Sequence, residues 1–218
     1  MPTAGLRERK KQQTRDALID AALNLFQEHG FAETTLDELC ATVAVSKRTF
    51  FRYFAGKEDV VLAPSHELWS AFLREVESLP PSRRTVFTSL QEALLAALDK
   101  MAAAPWAERM AASRRLAEAS ASITAHNLSF CDRISDETRR AVATRLALTD
   151  SDLRPRLAQD LLVAAFQSAV AQWAKQSGPK TVTGLRARLK DTLAAAAQVT
   201  SFTGEPALDD RSTLGVEV

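Results

Sequence analysis

From Thr34 to Lys57 the chain reads TTLDELCATVAVSKRTFFRYFAGK, and the spacing of its polar and apolar residues decides the fold. Thr35 followed three residues later by Glu38 is a capping box, so a helix starts at Leu36, with Leu36, Leu39, Cys40 and Val43 on one face. Ala44 and Val45 leave room only for a tight connection before Ser46, a second N-cap, opens a helix reaching about Tyr53. Two short capped helices joined by so short a turn are the parts of a helix-turn-helix. The second helix begins Ser46, Lys47, Arg48, Thr49, small polar and cationic residues of the kind that reach base edges in a major groove. Phe50 and Phe54, four residues apart, fall on its opposite side and predict an anchor into a core.

Upstream, Leu18, Ile19, Ala22, Leu25 and Phe26 form a helical stripe within a predicted helix from about Arg7 to His29, stopped by Gly30. Downstream, a fourth helix begins near Lys57 with Glu58 and Asp59 at its positive end, and Pro64 is expected to kink it or tighten its opening turns. It ends at the Pro80-Pro81 break. Period-3.6 patterning then predicts helices over Thr85–Ala103, shorter ones within Trp106–Thr124, then Leu128–Leu148, Leu153–Gln176 and Val182–Gln198. The fold class is therefore all-α: a three-helix DNA-binding unit over residues 1–56 and a helical bundle over 57–198. Residues 199–218, rich in Thr, Gly, Pro, Asp and Ser, are expected to form a disordered tail.

The formal net charge of +1 says nothing about nucleic acid, but its distribution does. Arg7, Arg9, Lys10, Lys11 and Arg15 face one acid, Glu8, before residue 16; Lys47, Arg48, Arg52 and Lys57 face none between Ala44 and Lys57. Two such clusters on a neutral chain are a local footprint for an anion. Cys40 and Cys131 lack metal-type spacing and suit a reducing, cytoplasmic setting. No apolar run approaches the ~18 residues of a membrane span, and the polar start is unlike a secretory signal, so no membrane partner is expected. His29, His66 and His126 stand without metal-ligand company, and no nucleophile motif or Gly-rich phosphate loop occurs. Neither an enzyme nor a cofactor is expected.

Val45-Ser46-Lys47-Arg48-Thr49-Phe50-Phe51-Arg52-Tyr53-Phe54 followed by Gly56-Lys57-Glu58-Asp59, with Gly30-Phe31 and Thr34-Thr35 before them, resembles the TetR family of regulators over about residues 8–62. Beyond that stretch the likeness is one of length and helical layout. The resemblance implies that Thr35 holds a phosphate, that Ser46, Lys47, Arg48 and Thr49 face bases or adjacent phosphates, that Tyr53 offers its hydroxyl to a phosphate, and that Lys57 clamps another. Phe51 stands where the family often has Tyr, so that hydroxyl contact is missing or moved to Arg52, and Phe51 packs on sugar or a thymine methyl. The basic arm Arg7–Lys11 is either a contact to flanking DNA or a frayed helix end.

The resemblance also implies a homodimer on a palindromic double-stranded DNA operator and a small-molecule effector in the body, with the chain a repressor released by that effector. Two stripes are candidates for the dimer: Leu157, Leu161, Ala165, Ser168 and Gln172, and Leu185, Leu189, Leu193 with Ala196. Periodicity alone allows both to pack inside one chain. Trp69, Phe72, Phe87, Trp106, Met110, Phe130, Phe166 and Trp173 are candidates to line an effector cavity, or form an ordinary core. An extended, largely apolar ligand, an acyl-CoA-like thioester, would use Arg109, Arg114 and Arg115 for its anionic end. The competing readings are a helical protein-binding adaptor, in which charge reversal at Lys47 and Arg48 leaves function intact, and a helical enzyme, which would need a polar cluster the sequence does not offer.

Overall fold

The computed structural model describes residues 3–80, 83–102, 105–149 and 151–201, and the described residues contain helices and turns but no strand. The helices are α1 (Thr3–His29), α2 (Leu36–Thr42), α3 (Lys47–Phe50), α4 (Lys57–Ser78), α5 (Val86–Asp99), α6 (Trp106–Ala119), α7 (Ala121–Leu146), α8 (Arg154–Lys175) and α9 (Val182–Gln198). α9 continues into a single 3-10 turn, Val199–Ser201, so ordered helix reaches slightly into the expected tail. The remainder of that tail lies outside the described residues.

Local chemistry accounts for most of these ends. Thr85 and Thr181 are extended and accept the N–H of the residue three further on, starting α5 and α9. Gly30, at φ 93°, supplies the left-handed turn that stops α1, and the buried Thr34 hydroxyl donates to its carbonyl at 2.9 Å. One expectation is corrected: the stretch Trp106–Thr124 holds α6 and the first turn of α7, which begins at Ala121, seven residues before Leu128. Ser120, extended at φ −135°, is the only break between them, and the Ala-rich sequence on both sides carries no Gly or Pro to stop a helix elsewhere.

Among the described residues, two apolar cores form. The first gathers Leu18, Ile19 and Phe26 of α1, Leu39 of α2, Phe50 and Phe54, the start of α4 (Val60–Ala63), and Ala112, Leu116 and Ile123 from α6 and α7. The second fills the body between α4, α5, α6, α7, α8 and α9, with Phe72, Phe166 and Trp173 among its largest buried side chains. Packing thus crosses the boundary expected at Gly56. α4 belongs to both cores, Val60–Ala63 to the first and Leu68–Val76 to the second. Pro64 sits between these halves inside one continuous helix, and its carbonyl accepts the Trp106 indole N–H at 3.0 Å. A displacement of α4 in the body is therefore mechanically connected to the N-terminal unit.

Candidate nucleic-acid interface and body cavity

The two N-caps build the N-terminal surface. Thr35 Oγ1 accepts the Glu38 N–H at 3.2 Å while Thr35 N–H donates to Glu38 Oε2 at 2.7 Å, a complete capping box. Those backbone and hydroxyl bonds hold the Glu38 carboxyl below the usual carboxylate range. The turn after α2 passes through Ala44 in the left-handed region, φ 53°, and Val45 N–H returns to Cys40 O at 3.0 Å. Ser46 Oγ then accepts the Thr49 N–H at 3.1 Å and starts α3. Phe50 and Phe54 are buried, with ring centres 5.7 Å apart. With that face committed to the core, Ser46, Lys47, Arg48, Phe51 and Arg52 are left exposed, and Thr49 and Tyr53 are half-buried beside them.

Phe51 is 54% exposed, a large apolar ring presented to solvent among cations. Lys47 pairs with Asp37 of α2 at 2.9 Å, so a phosphate that engages it competes with a carboxylate. Arg52 lies over the Tyr53 ring and donates to its hydroxyl at 3.3 Å, leaving the tyrosyl proton available to an anion. The Thr35 hydroxyl donates to Glu38 Oε2 at 2.9 Å, so a phosphate there would compete with the cap.

Lys57, expected at a phosphate, is engaged within the chain. Its ammonium donates to the carbonyls of Phe31 (2.6 Å), Ala32 (3.3 Å) and Thr34 (3.3 Å) and lies over the Phe31 ring. All three of its donors are engaged, so it fastens the α1–α2 link rather than standing ready for a phosphate.

The N-terminal unit is bound to the body by polar contacts as well as by α4. Arg109 of α6 donates through Nε and Nη2 to both oxygens of Asp20 (2.7 Å each) and through Nη1 to Asp16 at 2.9 Å. The Asp20 bonds, outweighing burial, raise its already high pKa. Arg15 pairs with Glu67 and lies over the Phe54 ring, and Ser122 donates to Glu58 at 2.8 Å. A further series of contacts runs from α7 to the α3–α4 turn. The Phe130 ring stacks on His66 with centres 3.7 Å apart, His66 Nδ1 lies 3.4 Å from Asp59 Oδ1, and Asp59 Oδ2 accepts the Ala55 N–H at 3.0 Å. Burial pushes the Asp59 pKa up, but the bonds from His66 and Ala55 outweigh it and the net shift is downward.

In the body a cavity of about 690 Å³ opens between α7 and α8, with Trp69 of α4 in its wall. Of the eight aromatic and methionine candidates, Trp69 and Phe130 line it. Phe72, Met110, Phe166 and Trp173 are buried core, Trp106 is held by Pro64, and Phe87 is half-buried against the core edge. Sequence reading missed the polar part of the lining: Asp132, Asp136, Arg139, Arg156, Gln159 and Asp160. The arginines expected at an anionic ligand end lie elsewhere than in this cavity. Arg109 is clamped by Asp16 and Asp20, Arg114 is bound to Glu118 and Gln167, and Arg115 donates to Gln27; none lines this cavity.

The two dimer stripes separate. Leu185, Leu189 and Leu193 are 0%, 0% and 4% exposed and pack within the chain, as does Ala165, because α9 lies along α8 and turns this seam inward. Leu157, Ser168 and Gln172 of α8 face solvent, with Leu161 half-buried beside them; Leu153 and Leu157 are 68% and 62% exposed. On α9 the outward residues are small or charged, among them Ala187, Lys190, Asp191, Ala194 and Ala195.

Residues 18–63 match the model of the bacterial regulatory proteins of the tetR family. The HTH-type transcriptional regulator TcmR of Streptomyces glaucescens is 34% identical over 170 residues, covering 75% of this chain and 73% of that one. Among solved structures, a TetR-family regulator from Syntrophomonas wolfei superposes with a TM-score of 0.55 at 17% identity, covering 88% of this chain and 96% of that one. SmeT in complex with triclosan gives 0.54 at 23% identity, covering 84% and 91%. These two support the same all-helical fold.

Proposed function

This chain belongs to the tetR family of bacterial regulatory proteins, and from that premise we propose that it is a transcriptional repressor that binds a palindromic operator as a homodimer and leaves it when a small, largely apolar effector enters the body. Residues 1–56 are the DNA reader and 57–198 the effector and dimer body. The observation that carries the reading is the outward face of α3: Ser46, Lys47, Arg48, Phe51 and Arg52 are exposed while Phe50 and Phe54 fix the opposite face in the core. Ser46, Arg48 and Thr49 meet bases or adjacent phosphates, Lys47 exchanges Asp37 for a phosphate, Arg52 and Tyr53 hold backbone, and Phe51 packs on sugar or a thymine methyl. Lys57 and Thr35 act by fixing the loop and the cap behind this surface.

One such helix touches little of a duplex, and a two-fold pair set about 34 Å apart reads two half-sites. The exposed face of α8, Leu157, Leu161, Ser168 and Gln172, with the small residues of α9, is the surface we assign to the partner. Effector binding beside Trp69 and Phe130 moves α4, supported by the membership of α4 in both cores and by the contacts from Phe130 through His66 and Asp59 to Ala55. The switch requires the effector to bind the two shapes with different affinity. SmeT has been solved with triclosan, a small molecule, on a related fold.

The test is fluorescence anisotropy with a duplex from the chain's own upstream region against a scrambled duplex. Salt-sensitive, sequence-preferring binding of two chains per duplex is expected. Equal affinity for both duplexes, or saturation by one chain, would overturn the operator reading. A protein-binding adaptor would retain its partner after charge reversal at Lys47 and Arg48, whereas the repressor loses the duplex.

A further inference from the structure

We propose that the cavity between α7 and α8 recognises an uncharged, planar molecule that carries a hydrogen-bond donor and an acceptor side by side, as at a lactam edge, and that the side-chain amide of Gln159 is its recognition group. The inference rests on the reading of the body as the effector-binding part of the chain.

Gln159 is 1% exposed and lines the cavity from α8, yet neither its Nε2 nor its Oε1 has a hydrogen-bond partner among the described residues. A buried primary amide with no protein partner at either end is rare, and both atoms are therefore open to a molecule in the cavity. A side-chain amide presents one donor and one acceptor in one plane, and a lactam presents the complementary pair. One ligand edge can thus satisfy both atoms at once.

The surrounding walls set the rest of the class. Trp69, Phe130, Ile134 and Val163 provide flat and branched apolar surface. The Trp69 ring is fixed edge-on by Phe72 and Phe166, with centres 5.3 Å and 5.1 Å away, so this wall is rigid. At the rim, three carboxylates (Asp132, Asp136, Asp160) stand against two guanidinium groups (Arg139, Arg156), a net charge of −1. Arg156 lies 3.6 Å from Asp160 and Arg139 lies 3.9 Å from Asp136, so both cations already face acids. Acid-rich by one charge and with both cations beside acids, such a rim suits an uncharged ligand better than the anionic end of an acyl-CoA-like one. The volume, about 690 Å³, accommodates a tricyclic molecule and water.

The probes are phenanthridinone, a neutral planar lactam, and its lactone analogue, in which a ring oxygen replaces the N–H without changing the outline. Binding to the full chain is read by calorimetry and by quenching of tryptophan emission. The lactam should bind about tenfold more tightly than the lactone, since only the lactam supplies a donor to Gln159 Oε1. In Gln159→Met, whose side chain has similar length and no amide, that ratio should fall to about one while the melting temperature holds or rises. Dodecanoyl-CoA should bind more weakly than the lactam.

Equal binding of lactam and lactone to the unaltered chain overturns the proposal, and so does the absence of binding by either. A ratio that survives Gln159→Met, or tighter binding of dodecanoyl-CoA, overturns it as well. The wild-type comparison of the two probes needs no variant to fold. Duplex binding is measured separately: if the chain binds its operator but discriminates no lactam, the proposal about Gln159 falls and the repressor reading stands. If the lactam is discriminated but no duplex is bound, the reverse holds.

Discussion

Removing the acids around Arg109 should cost more than removing Arg109 itself. The Arg109 side chain is only 11% exposed, whereas its partners Asp16 and Asp20 are 34% and 47% exposed. In Arg109→Met the apolar stem is retained and the two carboxylates return to water, so the cost is that of charge-assisted bonds discounted for solvent, about 1–2 kcal/mol. In the double variant Asp16→Ala/Asp20→Ala the guanidinium stays in place without either carboxylate, a stranded buried cation costing about 3 kcal/mol. Adding Arg109→Met to that double variant should recover about 1 kcal/mol, because the stranded charge goes with it. Urea unfolding followed by circular dichroism, with equal slopes required for comparison, reads these differences as midpoint shifts. An Arg109→Met variant less stable than the double Asp variant, or a triple variant that recovers nothing, would refute the claim that burial of the cation sets the energy. Because this clamp ties α1 to α6, the double variant should also weaken the effect of effector on duplex affinity more than it weakens duplex affinity itself.

Three further outcomes follow from the packing and titration of the N-terminal unit. Phe50→Ala, at 0% exposure in the first core, should destabilise by about 3–5 kcal/mol and abolish duplex binding before body helicity is lost; thermal melts followed by circular dichroism alongside anisotropy check this. Ala44→Gly relieves a left-handed alanine at φ 53° and should raise stability by up to about 1 kcal/mol, read by the same urea midpoint, with a destabilised variant contradicting the backbone argument. The folded Asp59 pKa lies below its unfolded value, so its contribution is present above the ordinary aspartate range and is lost as pH falls through the lowered folded pKa. Asp59→Asn should flatten the decline in stability below about pH 4, and an unchanged decline would show that the His66 and Ala55 bonds do not stabilise the ionised form.

The reader surface was legible because its determinants are local. Thr35 with Glu38, Ser46 with Thr49, and Phe50 with Phe54 each act within four residues, so the caps and the buried face can be read directly from spacing. The surroundings of Lys57 were hidden for the opposite reason. A cation at the start of a helix looks like a phosphate clamp, while the carbonyls that take it up lie 23 to 26 residues upstream and come close only when α1, α2 and α4 assemble. The leucine stripe of α9 was visible as a stripe, but its period is the same whether it faces α8 of its own chain or a partner. The cavity was the least visible feature. Gln159, between Ala158 and Asp160, has the appearance of a solvated helix position, and only the approach of α7 to α8 buries it beside Phe130 and Trp69. Aromatic content pointed to the body core as a whole and could not separate the two rings that line the cavity between α7 and α8 from the others.

The claim on which the rest depends is that the outward cations of α3 meet the backbone and bases of a duplex. The most direct measurement is the slope of log affinity against log salt for the operator duplex, compared between the unaltered chain and Lys47→Ala/Arg48→Ala/Arg52→Ala. Every phosphate left without its cation should reduce the slope by about 0.9. The account predicts a shallower slope, with affinity weakened on every duplex and an unchanged melting temperature, since all three side chains are exposed. An unchanged slope with unchanged affinity would contradict it.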